Sequence, residues 1–195
     1  MSLAERRLPA YLEGVECYPK VVDVPLKIWH EESGTRCLLV DMDDTVIPYR
    51  PKDQQTGEVP EDVVQFFAEG RARGWYDRLG IVTNSHKLNI IKSVVSQLKA
   101  EDFFRPRPLR FGERKPFKTL IGRALAEFDV EPQNASMIGD KLPMDILAAR
   151  WAGLGRIAWV EPLGGSENGA SRLLRRFEQP RRELIETTTM AIRGK

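Results

Sequence analysis

Asp41, Asp43 and Asp44 fall within four residues and are followed at once by Thr45, and the apolar run Cys37-Leu38-Leu39-Val40 leads straight into them. Carboxylates this close repel one another, so the cluster calls for a cation among them, most simply a hard metal ion such as Mg²⁺ held by oxygen donors. Alternation along an extended chain puts Asp41 and Asp43 on the same side, where one can attack and the other can move protons. An isolated D-x-D is more often an acidic loop or a helix cap, and further evidence has to come from elsewhere in the chain.

Three later elements supply it. Val82-Thr83-Asn84-Ser85 ends an apolar run with a hydroxyl able to donate to a phosphate oxygen, although Thr-Asn-Ser is also ordinary loop chemistry. Arg114-Lys115-Pro116-Phe117 places a lysine just before a proline that can open a helix, so an ammonium and a helix N-terminus could face one anion. Ile138-Gly139-Asp140-Lys141-Leu142-Pro143-Met144-Asp145 puts two more carboxylates after an apolar run, with Gly139 permitting close approach to a metal.

The elements that must position these groups alternate short apolar runs with helical periodicity, the mark of α/β architecture. Cys37 to Val40 reads as the central strand, apolar throughout as a parallel strand buried on both faces should be. A helix follows from Pro60 toward Gly74, with Val63, Val64, Phe66 and Phe67 inward. Leu79 to Thr83 reads as a second strand, and Leu88, Ile91, Val94, Val95 and Leu98 recur at helical spacing. A short strand is expected around Leu109 to Phe111, before a helix from Pro116 that buries Leu120, Ile121, Ala124, Leu125 and Phe128. Ser136 to Gly139 and Arg156 to Val160 give two more strands around a helix near Pro143 to Trp151, with Gly153 as its C-cap. Five mainly parallel strands with helical crossovers predict a three-layer Rossmann-like sandwich, and every polar cluster falls at the carboxyl end of a strand.

The order D-x-D-x-T, strand-terminal Thr, Lys, then G-D-x-x-x-x-D resembles the haloacid dehalogenase (HAD) superfamily. The stretch Glu113 to Leu163, with KPF, SMIGDKLPMDILAARWAGLG and WVEPL, and the leader RLPAYLEG…PLKIW are similar to the YqeG-like phosphatidylglycerophosphate phosphatases of HAD subfamily IIIA. This resemblance implies that Asp41 is a nucleophile forming an aspartyl-phosphate and that Asp43 protonates the leaving alkoxide and then activates water. It implies Mg²⁺ held by the Asp41 carboxylate, the Asp43 backbone carbonyl and Asp140, with Thr83, Asn84 and Lys115 holding phosphoryl oxygens. Asp145 is expected to act from behind, orienting Lys115 or metal-bound water, and Thr45 either supports backbone or contacts substrate. The family pattern has Asn where this chain has Asp44, and the additional charge bears on metal affinity or specificity rather than on reaction type. Its implied substrate is phosphatidylglycerophosphate, an anionic phospholipid at a membrane surface. A soluble sugar phosphate, nucleotide or phosphoprotein is the alternative substrate, and a non-catalytic phosphoacceptor scaffold the alternative class.

Length and composition agree with this picture. The 195 residues suit one domain, read as a leader helix or loop over 1–35, a catalytic core over 36–165 and a basic tail over 166–195. Residues 46–82 and 84–114 leave no room for a large cap domain, so an open site is expected. Thirty Lys and Arg against 28 Asp and Glu are too balanced for a protein that neutralises a nucleic-acid backbone. Two cysteines, Cys17 and Cys37, read as packing residues in a reducing compartment. No run is long enough to span a bilayer and no signal peptide is evident, which predicts a cytoplasmic protein that can sit at a membrane periphery; Glu5 and Glu13 argue against an organelle presequence.

Two surface stretches carry open readings. Arg105, Arg107, Arg110, Arg114, Lys115 and Lys118 against the single acid Glu113 could collect anionic headgroups or form a solvated loop. The tail from Arg172, with seven basic and three acidic residues, could lie on a membrane, but a terminal helix docked on the sheet is preferred. His86 could touch substrate, with loop polarity preferred, and the four tryptophans receive no role.

Overall fold

In the computed structural model, which describes residues 12–48, 56–106, 118–164 and 178–186, Cys37–Val40 is a strand with all four side chains buried. A strand apolar at every position needs helices over both faces of its sheet, and this one has them. The strands are β1 (Val15–Tyr18), β2 (Cys37–Val40), β3 (Arg78–Val82), β4 (Asp102–Phe104), β5 (Ala135–Gly139) and β6 (Arg156–Val160). Their spatial order is β1-β6-β5-β2-β3-β4, and every pairing is parallel. From β2 the chain winds outward through β3 and β4, then returns to lay β5 and β6 on the other side. The winding therefore reverses at β2, and in open parallel sheets that reversal opens a crevice beyond the strand ends.

The helices are α1 (Leu26–Ser33), α2 (Glu61–Ala72), α3 (Leu88–Leu98), α4 (Thr119–Phe128), α5 (Leu147–Ala152) and α6 (178–186). Alternation along β2 feeds the two faces: Leu38 and Val40 pack with Trp29, Phe67, Ile91 and Val94 from α1, α2 and α3. Cys37 and Leu39 pack with Leu120, Ile121 and Ala124 of α4, Ala148 of α5 and Ile185 of α6. Both cysteines are free thiols, and burial pushes each up to about 12, as expected of groups used for packing. Leu88, which shares the helical spacing, is 40% exposed at the first position of α3, whereas Ile90 in the same turn is buried.

Six strands replace the expected five. The additional one, β1, lies in the stretch expected to be a leader helix or loop, and its burial pattern has no clean alternation because Glu16 sits mid-strand. That carboxylate accepts from Tyr18 Oη, Trp29 Nε1 at 3.0 Å and Arg156 Nη1 at 3.3 Å, so a polar network rather than an apolar stripe fixes β1 beside β6. The strand expected at Leu109 to Phe111 lies outside the described residues; β4, at Asp102–Phe104, is only three residues long and gives no periodic signal. Among the described residues, the intervals 46–82 and 84–114 hold α2, β3, α3 and β4 and no cap subdomain.

Tyr76 ties the end of α2 back on itself: its hydroxyl donates to the Phe67 carbonyl, and burial pushes the phenol up to about 12. Tyr76→Phe removes this buried bond without a cavity, so about 1 kcal/mol of stability should be lost in urea unfolding. An unchanged midpoint would show that Phe67 is fully satisfied within its helix.

Helix 178–186 docks on the sheet. Ile185 is fully buried, Arg182 donates to the Tyr18 carbonyl at 2.6 Å, and its guanidinium lies 5.9 Å from the Trp159 ring centroid. Residues 165–177 and 187–195 lie outside the described residues.

Candidate active site

The site forms where β2 and β5 end side by side. Val40 pairs with Ile138, and the Asp41 amide donates to the Ile138 carbonyl at 2.9 Å, which brings the first acidic cluster level with the second. Asp41, Asp140 and Asp145 each present a carboxylate oxygen, all within 4.8 Å of one another, and all three residues are buried. Oxygen donors at this spacing suit a shared hard cation. Asp44 is buried as well, at φ +67, and Asp43 is half-buried, its backbone bridging to Ile47.

Beyond Gly139 the chain enters a widened π-helical turn over Leu142–Ile146 before α5 begins. Such turns are frequent at functional sites, and buried Asp145 lies within this one. Its Oδ2 accepts from the Lys141 amide at 3.0 Å. A Cβ on residue 139 would lie 2.3 Å from the Asp145 Cβ, so glycine there makes room for Asp145. The Trp159 indole donates to the Asp140 carbonyl at 3.0 Å, and buried Glu178 on α6 accepts from the Leu142 amide at 2.8 Å. Both hold the turn from outside the carboxylate cluster.

Thr45 donates from Oγ1 to Asp140 Oδ1 at 3.4 Å, so it reaches the second cluster from the first. Thr83, buried at the end of β3, accepts from the Ser85 amide at 3.0 Å, which leaves its hydroxyl hydrogen as the donor. Asn84 follows it, half-buried. Lys115 lies outside the described residues, as do all but Arg105 and Lys118 of the basic stretch around it.

Lys141 is a part of the site that motif spacing does not reveal. Its Nζ lies 3.0 Å from both oxygens of Asp140, 3.5 Å from the Asp43 carbonyl and 4.0 Å from Asp44 Oδ2. Burial would lower its pKa, but the surrounding aspartates, Asp140 foremost and then Asp41 and Asp145, outweigh that and raise it. Lys141 is visible in the sequence as the neighbour of Asp140, yet nothing there says that its side chain folds back onto the preceding carboxylate. Trp159 opens the WVEPL stretch, but nothing there says that its indole reaches the Asp140 carbonyl, and Glu178 belongs to no motif.

The comparisons agree with this architecture. A HAD-hydrolase-like family model matches residues 113–160. Glyceraldehyde 3-phosphate phosphatase of Pyrococcus abyssi is 33% identical over 86 residues, covering 43% of this chain and 35% of that one. The Pyrococcus furiosus protein of the same name is 31% identical over 84 residues, covering 42% and 34%. The chain thus spans about a third of the length of these curated relatives. D,D-heptose 1,7-bisphosphate phosphatase from B. bronchiseptica, solved with magnesium and phosphate, superimposes with a TM-score of 0.53 at 18% identity, covering 65% of this chain and 80% of that one. That likeness concerns the fold. Over residues 113–160 the chain is thus similar to the HAD-hydrolase-like family, and its α/β fold with a parallel sheet is like that of the heptose bisphosphate phosphatase.

Proposed function

We propose that the chain is a Mg²⁺-dependent phosphomonoester hydrolase that works through a phosphoryl-aspartate on Asp41. The observation that carries this reading is the convergence of Asp41, Asp140 and Asp145 at the end of the central strand, two of them from a motif almost 100 residues downstream of the first. The donor set fits a hard divalent cation: it is all oxygen, it is buried, and the described residues place one ammonium, Lys141, against four carboxylates, Asp41, Asp44, Asp140 and Asp145. Bound by the Asp41 and Asp140 carboxylates and the Asp43 carbonyl, with Asp145 in reach, Mg²⁺ would screen the phosphate so that an anionic nucleophile can approach it.

The residues then divide the work. An Asp41 carboxylate oxygen attacks phosphorus in line, the Asp41–phosphorus bond forms, and the bond to the leaving oxygen breaks. Asp43, half-buried and so able to exchange protons with solvent, protonates the departing alkoxide. The same carboxylate next takes a proton from water as that water attacks phosphorus, which frees Asp41 and releases inorganic phosphate. The Thr83 hydroxyl, with Asn84 and Lys115, holds the phosphoryl oxygens during both transfers.

Phosphatidylglycerophosphate is the substrate that the family resemblance favours, and the absence of a cap among the described residues suits a phosphate presented on a large surface. The Pyrococcus relatives favour a second reading, a small soluble phosphate ester. Phosphate release is to be measured with and without Mg²⁺ on phosphatidylglycerophosphate in mixed micelles and on a panel of soluble esters that includes glyceraldehyde 3-phosphate. Faster turnover on micelles supports the lipid, and faster turnover on a soluble ester replaces it. Equal rates with Mg²⁺ and with EDTA on every substrate would end the proposal.

A further inference from the structure

We infer that Lys141 is a resident counter-cation of the carboxylate cluster, seated on oxygens that the divalent ion needs, and that Asp44 is the seat it moves to when the ion enters. This rests on the metal reading above and adds an exchange step to it. The Lys141 ammonium straddles Asp140, 3.0 Å from each carboxylate oxygen, and its next contact is the Asp43 carbonyl at 3.5 Å. Those are two of the three groups assigned to the ion, and an ammonium centred on a carboxylate occupies the approach that a bound cation would use. Lys141 Nζ is thus placed as a stand-in cation.

Its backbone cannot carry it away. The Lys141 amide is bound by Asp145 and the next amide by Glu178, so only the side chain can swing. A buried cation that leaves one carboxylate needs another, and the Asp44 Oδ2 lies 4.0 Å from Nζ with a side chain only 5% exposed. The lysine and Asp44 then form one device: the pair keeps the site assembled before metal arrives and sets a lower affinity than the carboxylates alone would give.

Calorimetric titration with Mg²⁺ and thermal unfolding in EDTA test this on the full chain. Lys141→Met and Lys141→Gln should bind Mg²⁺ roughly tenfold more tightly, within the ~10–100-fold span that groups behind metal ligands command. Both should unfold at lower temperature in EDTA and gain more from Mg²⁺ than the wild type does. A variant that folds only when Mg²⁺ is present supports the exchange equally. Asp44→Asn should weaken binding while Lys141 is present and have little effect in the Lys141→Met background. Unchanged or weaker Mg²⁺ binding by both Lys141 variants, with the wild type binding and Asp140→Asn not binding, overturns the exchange and leaves the metal site standing. No Mg²⁺ binding by the wild type or by any variant overturns the metal reading itself.

Discussion

Asp41→Asn is expected to cut metal-dependent phosphate release by on the order of 10⁴-fold or more while leaving the fold intact. The substitution is nearly isosteric, and the backbone bond from residue 41 to the Ile138 carbonyl does not depend on the side chain. What it removes is the electron pair that would attack phosphorus. It also removes one negative charge from a buried group of carboxylates, so the metal-free protein should unfold at the same temperature or a higher one. A rise in stability with a collapse in turnover is the pattern of a residue kept for chemistry against its own electrostatic cost. Acid quenching during turnover supplies a second readout: radiolabelled phosphate should remain with the wild-type chain and be absent from Asp41→Asn. Turnover within tenfold of wild type would mean that the attacking group is not Asp41.

The carboxylate cluster is legible in the sequence because its members follow buried strands. Cys37–Val40 and Ala135–Gly139 are apolar at nearly every position, so the point where each gives way to aspartates is sharp, and their parallel pairing sets Asp41 beside the turn that carries Asp140. The parts that are not legible are held by polar contacts between residues distant in sequence. Strand β1 is anchored through Glu16 to Arg156, 140 positions away, and Glu178 reaches the Leu142 amide from α6. Neither contact leaves a periodic trace, because one carboxylate aimed at one donor repeats nothing. The π-helical turn is hidden for a related reason: Leu142-Pro143-Met144-Asp145-Ile146 has the composition of an ordinary helix start, and only the opposing Gly139 accounts for the room Asp145 takes up.

That room gives the largest stability effect. In Gly139→Ala the new methyl would lie 2.3 Å from Asp145 Cβ, 2.6 Å from Cγ and 2.8 Å from Oδ2, distances that no rotamer of residue 145 relieves because its Cβ is among them. Either β5 moves, which disturbs its pairings with β2 and β6, or the turn moves, against the bonds from the Lys141 and Leu142 amides and the Trp159 indole. Forcing an atom into such a site costs about 1–3 kcal/mol in an average core, and the upper end, near 3 kcal/mol, is expected where both walls are backbone-bound. Gly122→Ala provides the control: Gly122 sits exposed within α4, nothing lies within 4 Å of a Cβ built on it, and alanine should stabilise by about 0.5–1 kcal/mol. The double variant Gly139→Ala/Asp145→Gly separates clash from chemistry. Removing the side chain at 145 should recover much of the stability, so the two changes are strongly non-additive, while Mg²⁺ affinity stays low because a carboxylate has gone from the cluster. If Gly139→Ala unfolds in urea at the wild-type midpoint, or if the double variant is no more stable than the single one, then Gly139 and Asp145 are not in the contact that shapes this site.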